Sequence, residues 1–396
     1  MRNSAEVVVV GGGIIGCCTA AELAAAGADV MLVEGAEIAH GASGRNHGLI
    51  FYPQNPTVDP IYQQSHRMYR QMAGRSRIDF HMDAEPRGFL ILVAEEEQWS
   101  SARREAECCK AGGIAVERLT AEQLTEAEPH VAGDMLGAWK IHDGYRLDPG
   151  ALTLAFALEA KRRGAEIVTH TDVKQILRSK GRVSGVATDR GIVDAQTVVL
   201  AAGPWSPKLA RSAGLELPMT AARGWLLLTD AQPKLFDHLL ESSGWHLMAG
   251  DPGPRQVTVS AYGAEQPAPA QVGLLVQQNA TGHVLIGGSR ITSLQREPEG
   301  PEVTREIARR AARAIPILGE VPVREVWSGV RPATLDGLPL MDWAPQLPGL
   351  FVAGGHGGQG VMLGAGSGLL AAQMIAGAQP YTDPAPFAFG RAALVS

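Results

Sequence analysis

The sequence predicts an α/β protein in which a Rossmann-like layer of parallel strands is interleaved with an antiparallel sheet. Three observations predict it. A glycine fingerprint, Gly11-x-Gly13-x-x-Gly16, stands between a β-branched strand and a helix. Two later segments, Thr197–Gly203 and Gly349–Gly364, again run a hydrophobic strand into small residues. Residues 218–330 alternate in the manner of antiparallel strands.

The elements follow in order. Val7–Val10 is a continuous apolar run, as a strand covered on both faces requires. Ile14–Ala26 reads as a helix closed by Gly27, and Val30–Val33 as the next strand. Pro60–Met72 and Glu95–Ala111 read as helices, with a strand at Phe89–Val93. Asp148-Pro149 starts a helix that runs to Arg163, with Asp148 as its cap. Glu166–His170 is a short strand, and Gly181 and Gly191 punctuate a ribbon. Gly224–Thr229, Gln256–Ser260, Val272–Gln277 and His283–Gly287 are strand-like, the last two joined by an Asn279–Gly282 turn. Val303–Ile315 is an amphipathic helix whose arginines form a solvated face.

Length admits two domains or one with a large insertion. The net charge of −6 and the absence of long basic runs argue against nucleic acid as a partner. The cysteines form two adjacent pairs, Cys17–Cys18 and Cys108–Cys109, with neither redox nor zinc spacing, so no metal is expected. There is no secretory leader and no apolar run of bilayer length. A cytoplasmic protein without a transmembrane segment is expected, with oligomers possible.

Each fingerprint glycine has a task. Gly11 allows a tight turn, Gly13 lets a pyrophosphate approach, and Gly16 lets helix pack on strand. The helix start at Ile14 and Ile15 offers free N–H groups to phosphate. Glu34, with Gly35 after it, ends the second strand where a carboxylate accepts ribose hydroxyls; its charge opposes a 2′-phosphate and so disfavours NADP. A helix starting near Gly360 directs its dipole toward whatever the preceding glycine loop holds.

Taken together, Val8–Glu34, Gly41–Gly48, Asp143–Pro149, Val198–Trp205, Gly329–Pro339 and Gly354–Gly368 resemble the D-amino-acid oxidase (DAO) superfamily, nearest its glycine oxidase, sarcosine oxidase and amino-acid dehydrogenase branch. The resemblance covers nearly the whole chain and is unspecific for the substrate. It implies a non-covalently bound FAD in a Rossmann-like domain of the glutathione-reductase/DAO type. That domain would comprise residues 1–50, 142–217 and 326–380. Residues 51–141 and 218–325 would form the antiparallel-sheet substrate domain, with 381–396 a tail. It further implies oxidation of the C–N bond of an amino acid or secondary amine by hydride transfer to flavin N5, giving an imine that hydrolyses.

The resemblance also assigns residues. Val173 gives backbone bonds to the adenine. Ser43, Arg45, Asn46, His47, Gly48 and Leu49 approach the pyrophosphate and the ring system. Ala202, Gly203 and Trp205 form the second motif. Gly358, Gln359, Gly360, Val361 and Met362 face the flavin C2 carbonyl. Arg331, in Gly-Val-Arg-Pro, holds the substrate carboxylate as a bidentate pair, and His356 contacts substrate or flavin. Some relatives carry an 8α-histidyl flavin, which makes His47 an alternative covalent site. The tethering cysteine of sarcosine oxidases has no counterpart after Gly329. The family's second carboxylate partner is often a sheet tyrosine, and Val272–Val276 has none. This departure points to a bulkier or differently charged substrate, with Tyr262 and Trp225 as pocket candidates.

Two electron acceptors fit: O2, or a partner subunit of a heteromeric dehydrogenase. A 2-hydroxy-acid or glycerol-phosphate dehydrogenase, with His356 as base, is a further alternative. A non-enzymatic flavin-binding protein is another.

Overall fold

A computed structural model describes residues 2–243, 256–259, 268–291 and 300–391, with the backbone alone for 256–259 and 268–270. Two large sheets organise it. The first carries the strands in the order 340–343, 350–354, 191–200, 4–10, 30–33, 166–168, with a ribbon of 173–179 and 182–188 attached to 191–200. Its centre is parallel: Val8 pairs with Val198 and Met31, and Val199 with Phe351.

The Val7–Val10 run shows why this layer is central. Val7 and Val9 join the core beneath the helices, while Val8 and Val10 join the core on the opposite face. A strand buried on both faces has no polar side to alternate with. The Ile14–Ala25 helix packs beside it and ends at Gly27, whose φ of +88° suits glycine at that position. Asp148 caps the Pro149–Arg162 helix by accepting from the Ala151 N–H at 2.9 Å.

The Gly360–Ile375 helix lies against the first helix. A Cβ at Gly368 would collide with Cys18, and one at Gly364 would meet Ile14 at 2.6 Å. Small residues here, Cys17 and Cys18 included, let the two helices approach closely. Their N-termini consequently open onto one cleft.

The second sheet runs 323–334, 219–229, 284–291, 268–278, 239–242, 89–93, 137–141, 116–120, with 256–259 beside 268–278. It is mainly antiparallel; 239–242 and 89–93 pair in parallel. The strand carrying Arg331 pairs throughout with Met219–Thr229, Ala222 opposite Arg331. The domain edge expected at residue 326 thus falls inside one strand. The Asn279–Gly282 turn is present, with Gly282 at φ +87° and the Asn279 Oδ1 accepting from the Thr281 and His283 N–H groups.

The Gly300–Ala314 helix covers one face of this sheet through Val303, Ile307 and Ala311. Its arginines are more engaged than a solvated face requires. Arg309 and Arg310 pair with Glu306, and Arg313 with Asp134. Among the described residues no helix is long and apolar enough to cross a membrane.

Candidate active site

A cleft open to solvent lies between the two sheets. Three distant chain segments line it: Gly11, Gly13, Ile14 and Ile15; Ala202, Gly203 and Trp205; and Gly358, Gly360 and Val361. Glu34, Gly35, Ser43, Asn46, Val173, Arg331 and His356 complete much of the wall.

The glycines do what their spacing requires. Gly11 takes a φ of +113°, and a Cβ there would come within 2.5 Å of the Ala201 carbonyl oxygen. A Cβ on Gly16 would overlap the Gly11 carbonyl, so Gly16 serves packing and stands behind the wall. Gly13 precedes the first helix without any side-chain cap. The Ser43 hydroxyl accepts from the Ile14 N–H at 2.9 Å. The Glu34 carboxylate accepts from the Gly12 N–H at 2.6 Å and the Ala36 N–H at 2.8 Å. Those bonds fix it at the cleft edge. The second helix N-terminus, at Gly360, likewise lacks a side-chain cap. Two helix starts on one elongated cleft, the Gly360 one without a side-chain cap and the Ile14 one met by the Ser43 hydroxyl, form a cradle for a phosphate-bearing, partly anionic cofactor. FAD fits that donor set.

Several expected contacts lie elsewhere. Arg45 is not among the residues lining the cleft. It donates to the His40 carbonyl at 2.8 Å and the Ser328 carbonyl at 3.3 Å, tying the loop to the second sheet. Gly48 and Leu49 lie behind the loop, where a Gly48 Cβ would overlap the Leu147 carbonyl. Asn46 remains in the wall and braces its own turn by donating to the Ala42 and Ser43 carbonyls. Gln359 donates to the Pro53 carbonyl at 3.3 Å, and Met362 is buried. The His47 ring packs against Gly287 of the second sheet, and its carbonyl accepts from Gln277 at 2.6 Å. His47 is not among the residues lining the cleft. Trp225 faces the Gly300–Ala314 helix, where a Cβ on Gly300 would meet its ring at 2.6 Å. It stands on the side of the sheet away from the cleft and lines a separate hollow there with Leu227, Gly300 and Val326. Tyr262 lies outside the described residues. Sequence reading missed His40, Gly41 and Pro332, which line the cleft because the fold closes over it.

Arg331 crosses over Gly224 to donate to the Ser289 carbonyl at 3.0 Å, and its Cδ and Nε stand 4.0 Å from where a Gly358 Cβ would lie. It makes no ion pair among the described residues. Burial and the neighbouring Arg290 charge pull its pKa down to about 10, so it remains a cation at neutral pH. Arg331 is half-buried and opens on the cleft.

His356 is different. Its ring is buried and its Nε2 lies 2.9 Å from the Ser367 hydroxyl. Burial pushes its pKa down to about 3. That is roughly 5 kcal/mol against the charged form, more than one neutral hydrogen bond at about 1 kcal/mol returns. His356 is a neutral anchor between the flavin-side loop and the last helix, and a poor proton acceptor.

Comparison with known proteins agrees with this architecture. Residues 6–374 match the family model described as FAD dependent oxidoreductase (DAO). The chain belongs to that family. It is 29% identical to the glycine oxidase of Pseudomonas aeruginosa over 397 residues, covering 97% of this chain and 98% of the relative. It is 27% identical to a hydrogen cyanide synthase subunit of Pseudomonas protegens, over 78% of this chain and 67% of that subunit. The crystal structure of glycine oxidase from Geobacillus kaustophilus superposes with a TM-score of 0.83 at 25% identity, covering 98% of this chain and 99% of that one. This DAO-family chain is an FAD-dependent oxidoreductase acting on the C–N bond of an amino acid or amine.

Proposed function

We propose that the chain oxidises an amine whose carboxylate is held by Arg331 at the inner end of the cleft. One observation carries this. Arg331 is a half-buried cation, without an ion pair among the described residues, on the wall shared with the Gly357–Gly360 loop. A partly desolvated guanidinium costs free energy until an anion joins it. Bound there, a carboxylate is fixed by a planar two-point contact, and the adjacent amine and C–H are oriented toward the glycine loop. When bound, FAD supplies the two-electron acceptor for the hydride. The chain's own residues position, desolvate and neutralise; among the described residues His356 is held neutral against Ser367 and none supplies a strong base beside Arg331.

This favours amine over alcohol chemistry. A 2-hydroxy acid needs a group to take the hydroxyl proton, and His356 is held neutral against Ser367. An amine in its neutral form has no such need. The test is anaerobic mixing of the holoenzyme with amino acids, N-alkyl amino acids and 2-hydroxy acids, following flavin bleaching. Bleaching by 2-hydroxy acids alone would overturn the reading. The same reduced protein, mixed with air, reports the acceptor. Fast reoxidation with peroxide supports an oxidase; slow reoxidation supports transfer to a partner subunit, as the likeness to a synthase subunit favours.

A further inference from the structure

We propose that Arg391 is a positioning residue for the substrate site: from outside the cleft it fixes the strand of Arg331 against the loop of residues 357–360. This rests on the reading of Arg331 as the carboxylate anchor and adds what holds that anchor in place.

Arg331 stands three residues before the end of its strand at Thr334. The chain then turns through residues 335–339 and enters the strand Leu340–Trp343, which pairs with Leu350–Gly354. Both limbs of this turn meet the glycine loop. Ala333 bridges to His356. A Cβ on Gly355 would lie 2.6 Å from the Thr334 Cγ2 and 3.7 Å from the Leu340 nitrogen. The turn therefore sets how the Arg331 strand lies against residues 355–360, where the Arg331 Nε stands 4.0 Å from the place of a Gly358 Cβ.

Arg391 closes that turn. Its Nε donates to the Asp336 Oδ2 at 2.6 Å and its Nη2 to the Oδ1 at 3.0 Å. The same Nη2 donates to the Leu338 carbonyl at 2.8 Å, which also accepts from the Thr334 hydroxyl at 2.6 Å. The Asp336 Oδ1 accepts in addition from the Leu338 N–H at 3.2 Å. One guanidinium thus ties the acid of the turn to the carbonyl that receives the end of the Arg331 strand. The two side chains are only 10% and 9% exposed. A forked pair so far out of water has one geometry, and losing one member leaves the other charge desolvated. The apex itself lies at the surface, with Leu335 67% exposed, so packing gives it little support.

The segment that carries Arg391 is fastened in turn. Phe387 is buried, and the Phe389 N–H donates to the Asp342 Oδ2 at 3.1 Å. The Tyr381 hydroxyl donates to the Gly366 carbonyl at 3.1 Å. Residues 381–391 thereby lace together the Gly360–Ile375 helix, the Leu340–Trp343 strand and the turn. With the pair broken, the Arg331 strand is free to shift against the loop, and a shift near 1 Å costs up to about a hundredfold in rate.

The test titrates propionate against the flavin absorbance of the holoenzyme, which reports binding without turnover, and measures Tm beside it. Arg391→Ala is expected to weaken propionate binding by about tenfold or more with flavin content unchanged. Arg391→Lys keeps the charge, loses the fork and should fall between. Asp336→Asn should match Arg391→Ala, and the double variant should bind no worse than either single one, since the two side chains act as a unit. A lowered Tm with propionate binding unchanged would make the pair merely structural and overturn the proposal. If Arg391→Ala loses its flavin, Arg391→Lys carries the test, and binding equal to that of the unaltered protein counts against Arg391. The underlying reading fails separately: then Arg331→Leu would leave propionate binding intact.

Discussion

The Arg331 guanidinium reaches the Ser289 carbonyl, 3.0 Å away, by passing over the bare Cα of Gly224. The anchor thus depends on a residue that never touches substrate. A Cβ at Gly224 would collide with Arg331 Nη1. Gly224→Ala should displace the guanidinium and lower kcat/KM by about tenfold to a hundredfold, 1.4 to 3 kcal/mol. Flavin content should be unchanged. Arg331→Leu should cost about a hundredfold or more in the same assay, with Arg331→Lys intermediate because it keeps the charge and loses the fork. Steady-state kinetics with the best substrate of the screen checks both.

Gly11→Ala should lose FAD. Its φ of +113° is costly for an L side chain, and the methyl would press on the Ala201 carbonyl. The expected product is colourless protein with a lowered Tm. Gly27→Ala is the control: φ is +88°, but nothing lies within 4 Å of the new Cβ. It should cost about 1 kcal/mol and keep its flavin. The ratio of flavin absorbance to protein absorbance distinguishes them.

His356 should make stability depend on acid. Its folded pKa of about 3 lies below the ordinary histidine value of 6.5. Between those values the unfolded chain binds the extra proton, so unfolding free energy rises with pH. The contribution is full above 6.5 and is lost progressively as pH falls toward 3. Between pH 7 and 5 the loss from this group is about 2 kcal/mol. Denaturant titrations at both pH values should show a smaller difference for His356→Asn than for the unaltered protein.

The flavin should come off in acid. The His47 ring packs on Gly287 in the second sheet and is not placed along the cleft. Acid precipitation should leave a colourless pellet and a yellow supernatant. A yellow, fluorescent pellet would refute this.

The sequence by itself determined the nucleotide-binding layer. Gly11, Gly13, Gly16 and Glu34 act within one strand–turn–helix–strand unit, so their spacing along the chain is their spacing in space. The buried Val7–Val10 strand and the Asp148 cap were readable for the same reason: local chemistry decides them. Facing was another matter. Arg45, His47 and Trp225 all lie within or beside well-marked segments, yet Arg45 ties its loop to the second sheet, the His47 ring packs on Gly287 and Trp225 faces the Gly300–Ala314 helix. A side chain's face depends on strand register and on what packs behind, and both are set by contacts between residues far apart in sequence. The reach of Arg331 to the Ser289 carbonyl is of the same kind. The two residues lie 42 positions apart on strands separated by a third, and the missing Cβ of Gly224 leaves the lane between them.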